Sequence, residues 1–361
     1  MIRNIILFLA AFVVSSYATG QDKQQGEKPL NIIILIGDGM GLSQLSVPYY
    51  YKDTEPVFNQ FKHVGLVRTS SAREKITNSA AAATAMFTGT KTYNDAIGVD
   101  VDTVKKSNLV EILSKQNYLS GVVATNAITD ATPAGFYAHV PDRYMEQEIA
   151  KQLLASDIDI FAGGGLKHFI DTTGRDLFQE SNTEVNFSKL KKIKKPEPGK
   201  KYGFLLSQNY MPPVLNGRGD FLKKATEISL DFLSGQGQGF ILMVEGSQID
   251  YAGHGNNARY LISEMNDFED ACRAAYEFAL EDGNTLLIVT ADHETGGFTL
   301  SASGTNDYAA DYNTINPTFA TTNHSASMVP LLAFGPGAET FGGIYENSDI
   351  FHKIMALIRA E

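Results

Sequence analysis

The chain has 361 residues, 43% of them hydrophobic and 20% charged, with 32 Gly and no Trp, a balance that excludes wholesale disorder, collagen and coiled coil. Its 41 acidic against 30 basic side chains leave a net charge of −11, which repels polyanions over most of the surface and argues against a general nucleic-acid binder. The single cysteine, Cys272, allows no intrachain disulfide, so a rigid site must rest on packing or on metal.

From the start of the chain, Arg3 precedes an apolar run from Ile5 to Val14 and then the small and polar residues Ser15 to Gly20. These are the three parts of a secretory signal peptide, expected over residues 1–20 with cleavage after Ala18 or Gly20, and they predict an exported protein, periplasmic or secreted. The run is shorter than the ~18–20 residues a membrane span needs, so no membrane anchor is expected. Residues 21–30 read as a flexible N-terminus and residues 31–361 as one domain.

Within that domain, short apolar runs predict strands at Asn31–Ile36, Val64–Thr69, Leu119–Thr125, Ile158–Ala162, Phe240–Val244, Thr285–Thr290 and Pro330–Phe334. Longer amphipathic segments predict helices at Ala80–Phe87, Asn108–Lys115, Met145–Leu154, Phe221–Leu233, Arg259–Leu280 and Asp349–Ile358. The alternation predicts an α/β fold with a mostly parallel sheet and crossover helices. Residues 167–213, rich in Lys, Asn, Pro and Gly, read as a surface insertion, and the seven lysines between Lys189 and Lys201 as a solvated loop rather than an anion-steering patch.

In a parallel sheet, ligands bind beyond the carboxyl ends of the strands. The predicted strands lead there into Gly37-Asp38-Gly39, Asp130-Ala131-Thr132, Glu245-Gly246 and Ala291-Asp292-His293. One acid after a strand is usually a helix cap or a turn former, but several converging carboxylates repel one another unless a divalent cation neutralises them. Asp250 and His254, spaced i, i+4, share a helical face as a chelating pair, and His324 precedes the last predicted strand. Mixed nitrogen and oxygen donors suit Zn²⁺, and an Asp, Glu and Thr oxygen set suits Mg²⁺. Ser79 opens an alanine-rich helix, where it is either a cap or a nucleophile beside an anion site. Arg143 reads locally as a surface arginine, with a phosphate clamp as the alternative.

The motifs Asp38-Gly39-Met40-Gly41, Thr77-Asn78-Ser79-Ala80, Thr88-Gly89-Thr90-Lys91-Thr92-Tyr93-Asn94, Asp130-Ala131-Thr132-Pro133-Ala134, Val244-Glu245-Gly246, Ile249-Asp250, Thr290-Ala291-Asp292-His293 and Asn323-His324 resemble, in the same order, those of bacterial secreted alkaline phosphatases. The resemblance runs from about Asn31 to the C-terminus and is weak across 167–240. It implies a three-layer α/β sandwich and hydrolysis of small phosphate monoesters through a phosphoserine on Ser79, with Arg143 clamping phosphate. It further implies one zinc on Asp250, His254 and His324, and a second on Asp38, Asp292 and His293. A third metal, Mg²⁺, would be held by Asp38, Thr132 and Glu245, with Asp130 reaching it through water. A homodimer is left open, because this compact chain has little room for the accessory crown through which many relatives pair.

Two positions depart from the family pattern. Asn78 stands where an acid commonly orients the arginine, so phosphate is expected to be held less rigidly and Asn78→Asp to tighten it. Tyr251 stands where some relatives place a basic or polar group. Other readings are a phosphodiesterase, a sulfatase or a noncatalytic envelope protein that binds phosphate or metal. The sulfatase pattern of Pro and Arg two and four residues after the nucleophile is missing at Ala81 and Ala83. Diesterases usually lack the third metal set, and no G-x-S-x-G marks an acyl-transfer serine hydrolase.

Overall fold

The computed structural model describes residues 29–360 apart from 171–172, 175, 198 and 305–308, so the expected signal peptide lies outside the described residues. In chain order the strands are β1 (Asn31–Gly37), β2 (His63–Arg68), β3 (Leu119–Ala127), β4 (Ile160–Gly164), β5 (Thr183–Asn186), β6 (Lys201–Leu205) and β7 (Phe240–Gly246). They continue with β8 (Thr285–Thr290), β9 (Glu294–Thr295), β10 (Thr299–Ser303), β11 (Asp311–Thr318), β12 (His324–Ser325), β13 (Val329–Phe334) and β14 (Gly343–Glu346). The helices are α1 (Leu42–Leu45), α2 (Pro48–Tyr51), α3 (Ser79–Thr88), α4 (Leu109–Ser114), α5 (Ala131–Gly135), α6 (Glu146–Ala155), α7 (Phe221–Ser234), α8 (Gln248–His254), α9 (Ala258–Asp282) and α10 (Ser348–Ala360).

Ten strands form one sheet in the order β14-β2-β13-β8-β1-β7-β3-β4-β6-β5. Only β13 runs against its neighbours, β2 and β8. All seven residues of β1 are buried, as are all of β7 and β8, the signature of central parallel strands covered on both faces. Helices α7 and α9 pack against each other and against this centre, while α3, α5 and α10 form a second helical layer. Helix α9 earns its place by period: Leu261, Met265, Phe268, Cys272, Ala275 and Ala279 are all buried. The segment 167–213, expected as a surface insertion, contributes β5 and β6 to the far edge of the sheet.

Register places the chemistry. Ile36 pairs with Glu245 of β7 and with Thr290 of β8, and Ala124 of β3 pairs with the same Glu245. The residues that follow these strands, including Asp38, Asp130 and Asp292, therefore emerge along one edge of the sheet.

Candidate active site

A cavity of about 380 Å³ opens at that edge, with Asp38, Ser79, Arg143, Asp250, His254 and His324 among its walls. Thr132, Glu245, Asp292 and His293 are buried.

Ser79 is the first residue of α3. Asn78 caps that helix by accepting from the Ala81 N–H at 3.2 Å, and Gly89 ends it in the left-handed conformation. All ten residues of α3 are buried, and its alanines let α5 approach closely; a Cβ on Gly135 would lie 2.6 Å from that of Ala83. The serine thus sits at a fixed helix N-terminus, its Oγ 3.3 Å from His293 Nε2.

Helix α8 gives the Asp250 and His254 pair its shared face, with His254 Nε2 3.3 Å from Asp250 Oδ2. His254 Nδ1 lies 2.6 Å from the Thr322 carbonyl and His324 Nδ1 lies 3.0 Å from the Thr77 carbonyl. A carbonyl only accepts, so each Nδ1 carries the proton and each Nε2 presents a lone pair. Those two Nε2 atoms are 3.1 Å apart. Two lone pairs at that separation repel in the absence of a proton or a cation between them.

His293 repeats the arrangement. The Thr295 hydroxyl donates to Asp250 Oδ1 at 2.5 Å, so its oxygen accepts from His293 Nδ1 at 3.2 Å and leaves Nε2 bare. That Nε2 faces Asp292 Oδ2 at 3.1 Å and Asp38 Oδ1 at 3.7 Å. Both carboxylate oxygens are buried with no hydrogen-bond partner, as is Thr132 Oγ1. Donor atoms of Asp250, His254 and His324 lie within 4.8 Å of one another, and so do those of Asp38, Asp250 and His293; Asp292 adjoins the second group through His293.

Gly39 makes this crowding feasible: its φ is +75°, and a Cβ there would stand 2.9 Å from the Asp250 Cα and the Thr295 hydroxyl. Its N–H donates to Asp292 Oδ1 at 3.1 Å. Burial, followed by Asp292, Asp250 and Glu245, drives the Asp38 carboxyl well above its ordinary range. Burial likewise lifts Glu245 to about 8, with Asp130 and Asp292 adding to it and the Ser247 hydroxyl opposing it. Against its burial, Asp292 is held low by His293, and His293 is raised in return by Asp292 and Asp250. Burial and the neighbouring His293 lower His324.

Arg143 reaches the same cavity from the loop before α6. Its Nη2 donates to Asp130 Oδ1 at 2.8 Å, and Asp130, with Asp38 behind it, carries the guanidinium above its ordinary value despite burial.

The family model for alkaline phosphatase matches residues 29–318. Alkaline phosphatase 3 of Bacillus subtilis (strain 168) is 32% identical over 98% of this chain and 96% of its own length. Alkaline phosphatase of Escherichia coli (strain K12) is 29% identical over 92% of this chain and 87% of its own. The solved alkaline phosphatase from an Antarctic bacterium superposes with a TM-score of 0.89 at 49% identity, covering 93% of this chain and 100% of that one. The chain belongs to the alkaline phosphatase family. It is accordingly a metal-dependent phosphomonoesterase, and the fold is that of the family.

The cavity of the phosphatase is braced by residues that sequence reasoning passed over. Thr295 sets the protonation of His293 and steadies Asp250. Asn126 donates to Asp130 and, at 2.7 Å, to the Tyr251 hydroxyl, so Tyr251 acts on the site through Asn126. Asn78 does not reach the Arg143 side chain. Its Nδ2 donates to Asp95 Oδ1 at 2.6 Å, while Asp130 holds the arginine. The carboxylate paired with the arginine is thus Asp130, and the expected looser hold on phosphate is to be read against that pairing.

Proposed function

We propose that the phosphatase is an exported enzyme that transfers the phosphoryl group of small monoesters to Ser79 and then to water, with two Zn²⁺ and one Mg²⁺ as resident cofactors. The observation that supports this reading best is the set of three histidines whose Nε2 lone pairs all face carboxylates, those of His254 and His324 toward Asp250 and that of His293 toward Asp38 and Asp292 oxygens that have no hydrogen-bond partner. Asp250, His254 and His324 would hold one zinc, and Asp38, Asp292 and His293 the other. Asp38, Thr132 and Glu245 offer only oxygen, the donor set Mg²⁺ prefers. Two solved variants of the Antarctic enzyme, each with a histidine replaced by an acid, carry Mg in their M3 site.

When bound, the metals supply positive charge to the attacking and leaving oxygens and lower the pKa of the serine hydroxyl. Ser79 Oγ is aimed by the first turn of α3, whose unpaired N–H groups face the incoming anion. Arg143 presents its remaining guanidinium nitrogens to two nonbridging oxygens, while Asp130 keeps the planar fork in place. Asn126, which also meets the Tyr251 hydroxyl, holds the other Asp130 oxygen and so fixes the direction from which Arg143 approaches.

Export rests on the leader-like residues 1–20, and no helix among the described residues is long and apolar enough to cross a membrane. The experiment is elemental analysis of the fully active enzyme, together with turnover of p-nitrophenyl phosphate against its bis-ester. Two zinc and one magnesium per chain with preference for the monoester are expected. Three zinc and no magnesium would overturn the magnesium assignment, and a preference for the bis-ester would overturn the substrate class.

A further inference from the structure

Asp95 has a φ of +72°, in the left-handed region that L side chains rarely adopt and glycine adopts freely. It has no place in the motifs that carry the chemistry, yet every polar group it offers is engaged with them. Its N–H donates to Asn78 Oδ1 at 3.2 Å, its Oδ1 accepts from Asn78 Nδ2 at 2.6 Å, and its carbonyl accepts the Arg143 N–H at 2.8 Å. Asn94, beside it, accepts the Asn78 N–H at 3.0 Å and donates to the Ile76 carbonyl at 3.1 Å. The turn at 94–95 therefore clasps residue 78 on both its main chain and its side chain, one residue before Ser79.

The Asn78 amide can lie in either of two orientations. Two N–H groups, from Ala81 and Asp95, face its oxygen, so its nitrogen needs an acceptor on the opposite side. The Asp95 carboxyl is that acceptor. Without it Nδ2 is left without a partner, and the cap that sets the first turn of α3 loses its fixed rotamer.

From this geometry we infer that Asp95 is a positioning residue for phosphate binding: it locks the Asn78 cap beneath Ser79 and, through its carbonyl, holds the main chain of Arg143 in register with that cap. The nucleophile and the arginine lie 64 residues apart in sequence, and Asp95 is hydrogen-bonded to the segment of each. A strained backbone conformation is thus kept where a glycine would be free of strain, because only a side chain supplies the acceptor. Asp95 does not touch phosphate; it fixes the distance between the two groups that do. The inference rests on the roles proposed for Ser79 and Arg143.

The test is Asp95→Gly, which suits the left-handed backbone, keeps both main-chain hydrogen bonds and removes only the carboxyl. A purely structural role predicts lower thermal stability and unchanged kinetics. The positioning role predicts undiminished stability with the inhibition constant of inorganic phosphate and the KM of a phosphomonoester both raised about tenfold, and kcat changed less. Asp95→Asn, which retains an acceptor oxygen, should restore both constants to within about threefold of wild type. Asn78→Ser cuts the same contact from the other side while keeping a capping oxygen, and its effect should not add to that of Asp95→Gly. A phosphate inhibition constant within about twofold of wild type in Asp95→Gly, or full additivity with Asn78→Ser, would overturn the inference. Acid-quench labelling of the wild-type serine separates the two layers: absent labelling strikes the role of Ser79, whereas intact labelling with unmoved phosphate inhibition strikes only that of Asp95.

Discussion

Replacing Asn78 by aspartate is expected to make stability fall as pH rises, and the geometry sets the size of the effect. The substitution keeps the oxygen that accepts from Ala81 and Asp95 but turns the donor nitrogen, 2.6 Å from Asp95 Oδ1, into a second carboxylate oxygen. Two unit charges at that distance repel by about 6 kcal/mol at an effective dielectric constant of about 20. The pair escapes by sharing one proton, which limits the loss at pH 7 to about 4 kcal/mol, since lifting a carboxyl by about 3 units costs about 1.4 kcal/mol per unit. Rotation of the half-buried side chains toward water reduces this to on the order of 2 kcal/mol.

The paired proton is bound more tightly in the folded variant than in the unfolded chain. A loss of about 2 kcal/mol is a lift of about 1.5 units, so it is absent below about pH 3, grows from about pH 4 to about pH 5.5 and then levels off. Urea unfolding of both proteins at pH 5 and pH 8.5, in the same zinc and magnesium, reads this directly. The variant should lose about 1 kcal/mol more at pH 8.5 than at pH 5, and phosphate inhibition should weaken. An equal loss at both pH values, or tighter phosphate inhibition, would refute the pairing of position 78 with Asp95.

Further outcomes follow from other parts of the molecule. Thr132→Val removes a buried hydroxyl without a hydrogen-bond partner; magnesium content should fall while zinc stays, and kcat should drop about tenfold or more with little change in KM, as elemental analysis and steady-state kinetics will show. Gly135→Ala drives a methyl to 2.6 Å from the Ala83 Cβ and should destabilise by about 1–3 kcal/mol in urea titrations, because α3 and α5 have no room to part without moving Ser79 and Thr132. Asp159, lifted to about 6 chiefly by burial, binds its proton more tightly folded than unfolded, so it lowers stability as pH rises from about 4 through 6. Asp159→Asn, which can still accept the Ser120 N–H, should gain on the order of 2 kcal/mol over wild type at pH 8 and nothing at pH 3.5; an equal difference at both would show that the charge is not responsible.

The central strands were legible because burial on both faces demands continuous apolar runs, and Ile32 to Ile36 can be little else. β5 was not, since Thr183–Asn186 is a half-exposed edge strand whose polar residues carry no such run. The acids and histidines at the strand ends were readable as chemistry because their types and spacing restrict what they can do. Thr295, Asn126 and Asp95 gave no such signal: each is a single polar residue whose role depends on a partner brought near only by folding, 45 residues away for Thr295 and Asp250 and 125 for Asn126 and Tyr251. Asn78 was recognisable as a departure, but its physical meaning lay in Asp95, 17 residues on and across a turn.

The most direct test of the account is to trap the covalent intermediate. Enzyme mixed with labelled phosphate or a labelled monoester, quenched in acid and digested, should carry one phosphoryl group on the peptide containing Ser79, and Ser79→Ala, with its zinc and magnesium retained, should carry none. Label on a different side chain, or label that survives in Ser79→Ala, would contradict the assignment of Ser79 as the nucleophile.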